Sequence, residues 1–202
     1  MTVENDANSA AIAELHSGCL QGTKEAVAVI LGSSIGGAVI HNGKVHYGTH
    51  YCAAEFSLIK VDSADDSLNH LWRNINGKNG LLRLVQRHLD TTEKFTGIEI
   101  FDMANAGNEK ALDALDEYCR LLAIRIYNLQ AVYDTSKFAI GGGISAQPLL
   151  FKLLNKHLDR IFEHEKPYGL AVFKPEIVSC RYHNDSNLIG ALYTFLEQSR
   201  GV

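Results

Sequence analysis

The chain has 202 residues, 46% of them hydrophobic and 21% charged, with 17 glycines and only 3 prolines. That composition suits one ordinary globular domain with a real core, and it excludes a disordered, collagen-like or disulfide-built chain. The formal net charge of −4, without any long run of Lys or Arg, argues against a nucleic-acid groove or an anionic-membrane patch.

The acidic opening Met1-Thr2-Val3-Glu4-Asn5-Asp6 lacks the positive segment of a signal peptide. Residues 7–15, rich in alanine and stopped by Gly18, predict a short helix that follows Asn5-Asp6. Ala26 to Leu31 is an apolar, β-branched run of strand length, far too short to span a membrane. Two further strand-like runs, 38–40 and 45–47, flank His41-Asn42-Gly43-Lys44, and Asn-Gly between such runs signals a tight hairpin. Residues 62–66 predict a polar loop, followed by helical segments at 68–75 and 81–89. From Asn108 a long helix is expected, with apolar residues at 112, 115, 119, 122, 126, 129 and 133. That stripe predicts a core face or an interhelical seam. Residues 137–140 predict a strand that runs into Gly141-Gly142-Gly143, then a helix with Ser145 as N-cap and Pro148 in its first turn. A weaker strand at 176–180 and a closing helix at 187–198 complete the chain. Strands alternating with helices in the carboxyl half favour an α/β layer architecture with parallel strands. Cys19, Cys52, Cys119 and Cys180 are scattered without a C-x-x-C, as expected of reduced core thiols in a cytoplasmic protein.

Three motifs could carry chemistry. Asn5-Asp6 at a helix start is an ordinary cap, or a carboxylate placed to accept a proton from a bound hydroxyl. Gly32-Ser33-Ser34-Ile35-Gly36-Gly37 is a tight corner, or a turn small enough for backbone N–H groups and two hydroxyls to meet a phosphate. It is not a Walker A loop, because no Gly-Lys-Ser/Thr follows. Gly141-Gly142-Gly143 between a strand and a helix suits close approach of a ligand.

Taken in order, these segments resemble the carboxyl-terminal domain of the ROK family of repressors, open reading frames and sugar kinases. Residues 3–11 are similar to that family's active-site segment, and 29–44 to its phosphate-binding hairpin. Residues 53–58 fall where the family carries Glu-x-Gly-His. Residues 138–145 look like its adenosine-side motif, and Leu188-Ile189-Gly190-Ala191 like its last helix. The resemblance covers nearly all of residues 1–202. It implies an α/β, ribonuclease H-like (actin/hexokinase-type) fold with a mixed sheet flanked by helices, and ATP-dependent phosphorylation of a sugar. It casts Asp6 as general base and Asn5 and Glu55 as sugar contacts. Gly32, Ser33 and Ser34 would face the phosphate, and Gly141, Gly142 and Gly143 the nucleotide, which carries Mg. A homodimer paired through the long helix is expected.

Two departures stand out. The family's amino-terminal domain, with its Asp-x-Gly motif, is not expected in this chain, so the chain alone should be an incompetent kinase. The family's zinc histidine is replaced by Leu58, and residues 59–90 hold no cysteine pair, so structural zinc is not expected. His41, His46 and His50 flank a hairpin and are expected to face solvent. His16 with Cys19 offers only two ligands. No metal ligands are assigned. The alternative reading is the sugar-sensing effector domain of a ROK transcriptional repressor.

Overall fold

The computed structural model describes residues 3–62, 67–166, 169 and 172–199; residues 63–66 of the expected polar loop lie outside that set. The first helix, α1 (Asp6–Ser17), is capped by Asn5, whose Oδ1 accepts from the N–H groups of Ala7 (2.8 Å) and Asn8 (3.3 Å). Three strands follow: β1 (Ala26–Leu31), β2 (Ile35–His41) and the short β3 (Lys44–Val45). The Asn-Gly signal holds, with Asn42 at φ 52° and Gly43 at φ 75°, the two positive dihedrals that a two-residue hairpin turn requires. The third run is shorter than the sequence suggests: β3 ends at Val45, and beyond it the His46 N–H still donates to the Val39 carbonyl at 2.8 Å.

β4 (Lys137–Gly141) and β5 (Glu176–Ser179) complete a five-stranded sheet in the order β3-β2-β1-β4-β5. β1 pairs antiparallel with β2 and parallel with β4, and β4 is parallel to β5. Side chains alternate across the pleat. Val27, Val29, Leu31, Phe138 and Ile140 point into the larger core, whereas Ala26, Ala28, Ala38 and Ala139 point into the smaller one.

The larger core is covered by α2 (Trp72–Asn76), α3 (Lys78–Leu89), α4 (Gly97–Asn105), α5 (Glu109–Tyr133) and α6 (Pro148–Glu165). The smaller is covered by α1, against which α7 (Ser186–Ser199) packs. Gly190 makes that packing close, since a Cβ there would lie 1.8 Å from the Ser9 carbonyl oxygen.

Several expectations need correction. The segment 68–75 is not one helix: a 3-10 turn at Leu68–His70 precedes α2. Ser145 does not cap α6. Gly142, at φ 93°, forces a 3-10 turn over Gly143–Ala146, and the Ser145 hydroxyl donates back to the Gly142 carbonyl at 2.8 Å. Pro148 is the first residue of α6, as its fixed φ favours. The apolar stripe of α5 is core: Leu115, Cys119, Leu122 and Ile126 are wholly buried within the chain, so that face is not free to pair with a second copy. Among the described residues no helix is long and apolar enough to cross a membrane.

Candidate functional site

Asn5 and Asp6 open α1 and both are exposed. The Asn5 side chain is spent partly on capping, and the segment is fixed by its neighbour Glu4. One Glu4 oxygen accepts from the Asn5 N–H (2.9 Å) and from Asn8 Nδ2 (3.1 Å); the other accepts from the Tyr47 hydroxyl (2.7 Å). The Tyr47 carbonyl in turn accepts from the Ala53 N–H at 3.1 Å, two residues before Glu55. This relay ties the Asn5-Asp6 segment to the loop that carries Glu55, which is exposed at the head of a 3-10 turn over Phe56–Leu58. The two glycines of β2 let both neighbours in. A Cβ on Gly36 would lie 3.0 Å from the Ala7 Cβ, and one on Gly37 would lie 2.2 Å from the Phe56 ring. Small residues in this corner therefore admit α1 on one side of β2 and the Glu55 loop on the other.

The turn Gly32-Ser33-Ser34 is exposed and closed by the Gly32 N–H donating to the Ser34 carbonyl at 3.0 Å. The start of α3 docks against it. The Lys78 N–H donates to the Gly32 carbonyl (3.1 Å), and a Cβ on Gly77 would lie 2.9 Å from the Ser33 carbonyl oxygen. Gly142 closes the other side: with φ 93°, its Cβ position would lie only 2.2 Å from the Leu31 carbonyl oxygen. The glycine turn after β1 and the triple glycine after β4 thus meet at the carboxyl ends of adjacent parallel strands, where open α/β sheets form ligand crevices.

A cavity of about 340 Å³ opens there, bordered by Gly32, Lys78, Thr96, Gly97, Gly143 and Ile144, with Phe95 and Ile98 at its wall. Beneath it, a buried polar node fixes the floor. Trp72 Nε1 donates to Asn76 Oδ1 (2.9 Å), Asn76 Nδ2 donates to the Tyr118 carbonyl (3.2 Å), and the Tyr118 hydroxyl donates to the Asn76 carbonyl (2.7 Å). The α4 wall is absent from the sequence reading, although Thr96-x-x-Glu99 spells a capping box. Both halves form, and the Thr96 N–H and hydroxyl hold the Glu99 carboxyl below its usual range.

No histidine lines the cavity, although His183 Nδ1 lies 3.3 Å from the Ser145 hydroxyl. His41, His46 and His50 are exposed as expected, and His16 stacks on Tyr193 at 4.3 Å. Cys19 meets Glu14 and Cys180 instead, their ligand atoms all within 4.8 Å of one another. Leu58, at the position the resemblance gives to a zinc ligand, is exposed.

Comparison with known proteins agrees with the order of these elements. The ROK family profile matches residues 1–198. An N-acetyl-D-glucosamine kinase from Vibrio atlanticus is 30% identical over 207 residues, covering 95% of this chain and 65% of that protein. Among solved structures, a ROK family protein from Streptococcus pneumoniae in complex with sucrose superposes with a TM-score of 0.85 at 31% identity, covering 98% of this chain and 66% of that one. A ROK family glucokinase from Streptomyces griseus, in complex with glucose and AMPPNP, superposes at 0.84 with 25% identity, covering 94% of this chain and 66% of that one. The chain therefore spans about two thirds of the length of its relatives. Its mixed sheet, with helices on both faces, has the hexokinase/actin-like ATPase fold of these neighbours. With that profile covering nearly its whole length, this chain belongs to the ROK family.

Proposed function

We propose that this chain is the carboxyl-terminal lobe of an ATP-dependent kinase acting on a hexose or an amino sugar. The observation that carries the reading is the meeting of Gly32, from the turn after β1, with Gly143, from the triple glycine after β4, on one cavity, while Gly36 of the same hairpin packs on Ala7, next to Asp6. In this reading Gly141, Gly142 and Gly143 lie along the nucleotide, which arrives with Mg and supplies the phosphoryl group. The Gly32–Ser34 turn faces that group, Gly32 by its lack of a side chain and Ser33 and Ser34 by their N–H groups and hydroxyls. Asn5 and Glu55 hold the sugar, and Asp6 takes the proton from its attacking hydroxyl. Phosphoryl transfer rests mainly on positioning and charge stabilisation, which backbone N–H groups at glycine turns supply without side-chain entropy.

The activity belongs to the complete, two-lobed protein. Asn5, Asp6, Ser33, Ser34 and Glu55 are all exposed, half of a cleft rather than a closed one. Leu188, Leu192 and Phe195 form an apolar stripe along the outer face of α7, which suits a second lobe lying against it. The reading places the protein in the cytoplasm, where ATP is, and expects self-association through a surface other than the α5 stripe. It includes no zinc at position 58, since leucine offers no ligand.

The test is coupled ADP release by the two-lobed protein against a panel of hexoses and N-acetylhexosamines. At least one sugar should drive turnover, and Asp6→Asn should lower kcat by about 10²–10⁴-fold while sugar still raises the melting temperature. Undiminished turnover in Asp6→Asn would remove the base assignment. Thermal stabilisation by a sugar with no ADP release would favour the repressor-type sensor instead.

A further inference from the structure

We propose that Glu14, Cys19 and Cys180 form a binding site for a divalent metal of the zinc class. The site lies behind α1, away from position 58, and does not depend on the kinase reading.

The first observation is a buried carboxylate without a counter-charge. Glu14 is 0% exposed, and among the described residues no Lys, Arg or His forms an ion pair with it. The nearby Arg181 donates to the Ser17 carbonyl at 3.0 Å instead. Among the described residues the Glu14 carboxylate accepts only from backbone donors, the N–H of Cys19 on one oxygen (2.8 Å) and that of Tyr182 on the other (3.1 Å). Two neutral donors orient a carboxylate but do not cancel its charge, and buried carboxylates are as a rule paired or bound to metal. Room has been kept for it: a Cβ on Gly18 would lie 2.0 Å from Glu14 Oε2.

The second observation is independent. Two thiols from distant parts of the chain converge on that carboxylate: Cys19 from the turn after α1, and Cys180 from the residue after β5. The three ligand atoms lie within 4.8 Å of one another. A tetrahedral zinc ion needs sulfurs about 3.8 Å apart and sulfur to oxygen about 3.5 Å, from bonds of about 2.3 and 2.0–2.2 Å. Side-chain shifts of about 1 Å close that geometry. Two thiols and one carboxylate select a borderline-soft cation over Mg²⁺ or Ca²⁺, which take oxygen. Binding balances as one M²⁺ and two thiols giving two thiolate bonds, one carboxylate bond and two released protons, with water in the fourth position. The cation would then bridge α1, whose first residue is Asp6, to the end of β5. The Cys180 sulfur there lies 3.1 Å from where a Cβ on Gly141 would sit.

The experiment is titration of the reduced, metal-free chain with Co²⁺. The expected result is one equivalent bound, with the visible d–d absorption of tetrahedral cobalt, a sulfur-to-cobalt charge-transfer band, two protons released, and displacement by Zn²⁺. Cys19→Ser, at a half-buried position that should tolerate the change, is expected to weaken binding more than about tenfold and to reduce the charge-transfer band. Cys180→Ser should do the same, while Cys52→Ser, at an exposed thiol elsewhere, should change nothing. Absence of the d–d bands overturns the proposal. So does their survival in the Cys19→Ser/Cys180→Ser double variant, which would assign the metal to other ligands.

Discussion

On one face of the sheet Trp72, Phe101, Tyr118, Leu122 and Ile126 are wholly buried and make a thick core of large side chains. On the other, Ala28, Ala38 and Ala139 cluster with Ala11 of α1, Gly190 brings α7 against that helix, and the buried set includes Glu14, Ser9 and Asn8. The first face is stabilised by apolar area. The second is stabilised by close backbone approach and by polar groups satisfied one by one, and it carries Asp6 at its edge. Asp6 thus sits at the edge of the thinner layer, whereas the Trp72, Asn76 and Tyr118 floor of the cavity belongs to the thicker one.

The largest test of that contrast is Trp72→Ala. It removes a side chain that packs on Phe56 and strands Asn76 Oδ1. A loss of about 3–5 kcal/mol is expected by denaturant unfolding, and a loss under 1 kcal/mol would mean the thick core is not the anchor.

Gly190→Ala probes the thin layer. In an ordinary helix this change stabilises by about 1 kcal/mol. Here the new methyl meets the Ser9 carbonyl oxygen, so the sign should invert, with a net cost of about 1–3 kcal/mol and a melting point lower by several degrees. A higher melting point would break the comparison.

Smaller still is the effect of Glu117, on the thick side. It accepts from Arg87 and from His88 Nε2 (2.9 Å), bridging α5 to α3. Burial alone would raise its pKa; the hydrogen bonds and charges of Arg87 and His88 outweigh that and leave it lowered. A carboxyl depressed on folding adds stability that is present above its ordinary value of about 4.5 and is lost as pH falls through the folded value. Glu117→Gln should therefore cost no more than about 1 kcal/mol at pH 7 and nothing at the acid end, seen as a shallower acid limb of the stability profile.

Least of all, Phe195→Ser on the exposed stripe of α7 should move this chain by less than about 0.5 kcal/mol. A distinctly larger loss in the two-lobed protein would mark the stripe as covered there.

The thick layer was also the more legible one. The α5 stripe at three- and four-residue steps is a one-dimensional image of its burial, and Asn42-Gly43 dictates its own turn through two positive dihedrals. Local chemistry was harder to read where a neighbour overrules it. Ser145 has the side chain of a cap, but the left-handed Gly142 before it turns the chain into a 3-10 segment and claims its hydroxyl. The glycine corners of the site were visible because three glycines in a row make little sense without close approach. Its Lys78 and Thr96 wall was not, for the Thr96 capping box marks only a helix start, and α3 and α4 reach the cavity by packing on α5. Glu14 and Cys180, more than 160 residues apart, meet only because β5 ends beside α1.

Gly142 bears on how such a chain can evolve. Any side chain there is barred twice, by the dihedral and by the Leu31 carbonyl, so drift cannot place one at this corner without moving the end of β1. Phe95, Thr96 and Ile98, on and just before the first turn of a nine-residue helix, are where a lineage can try new ligands while the strands stay as they are.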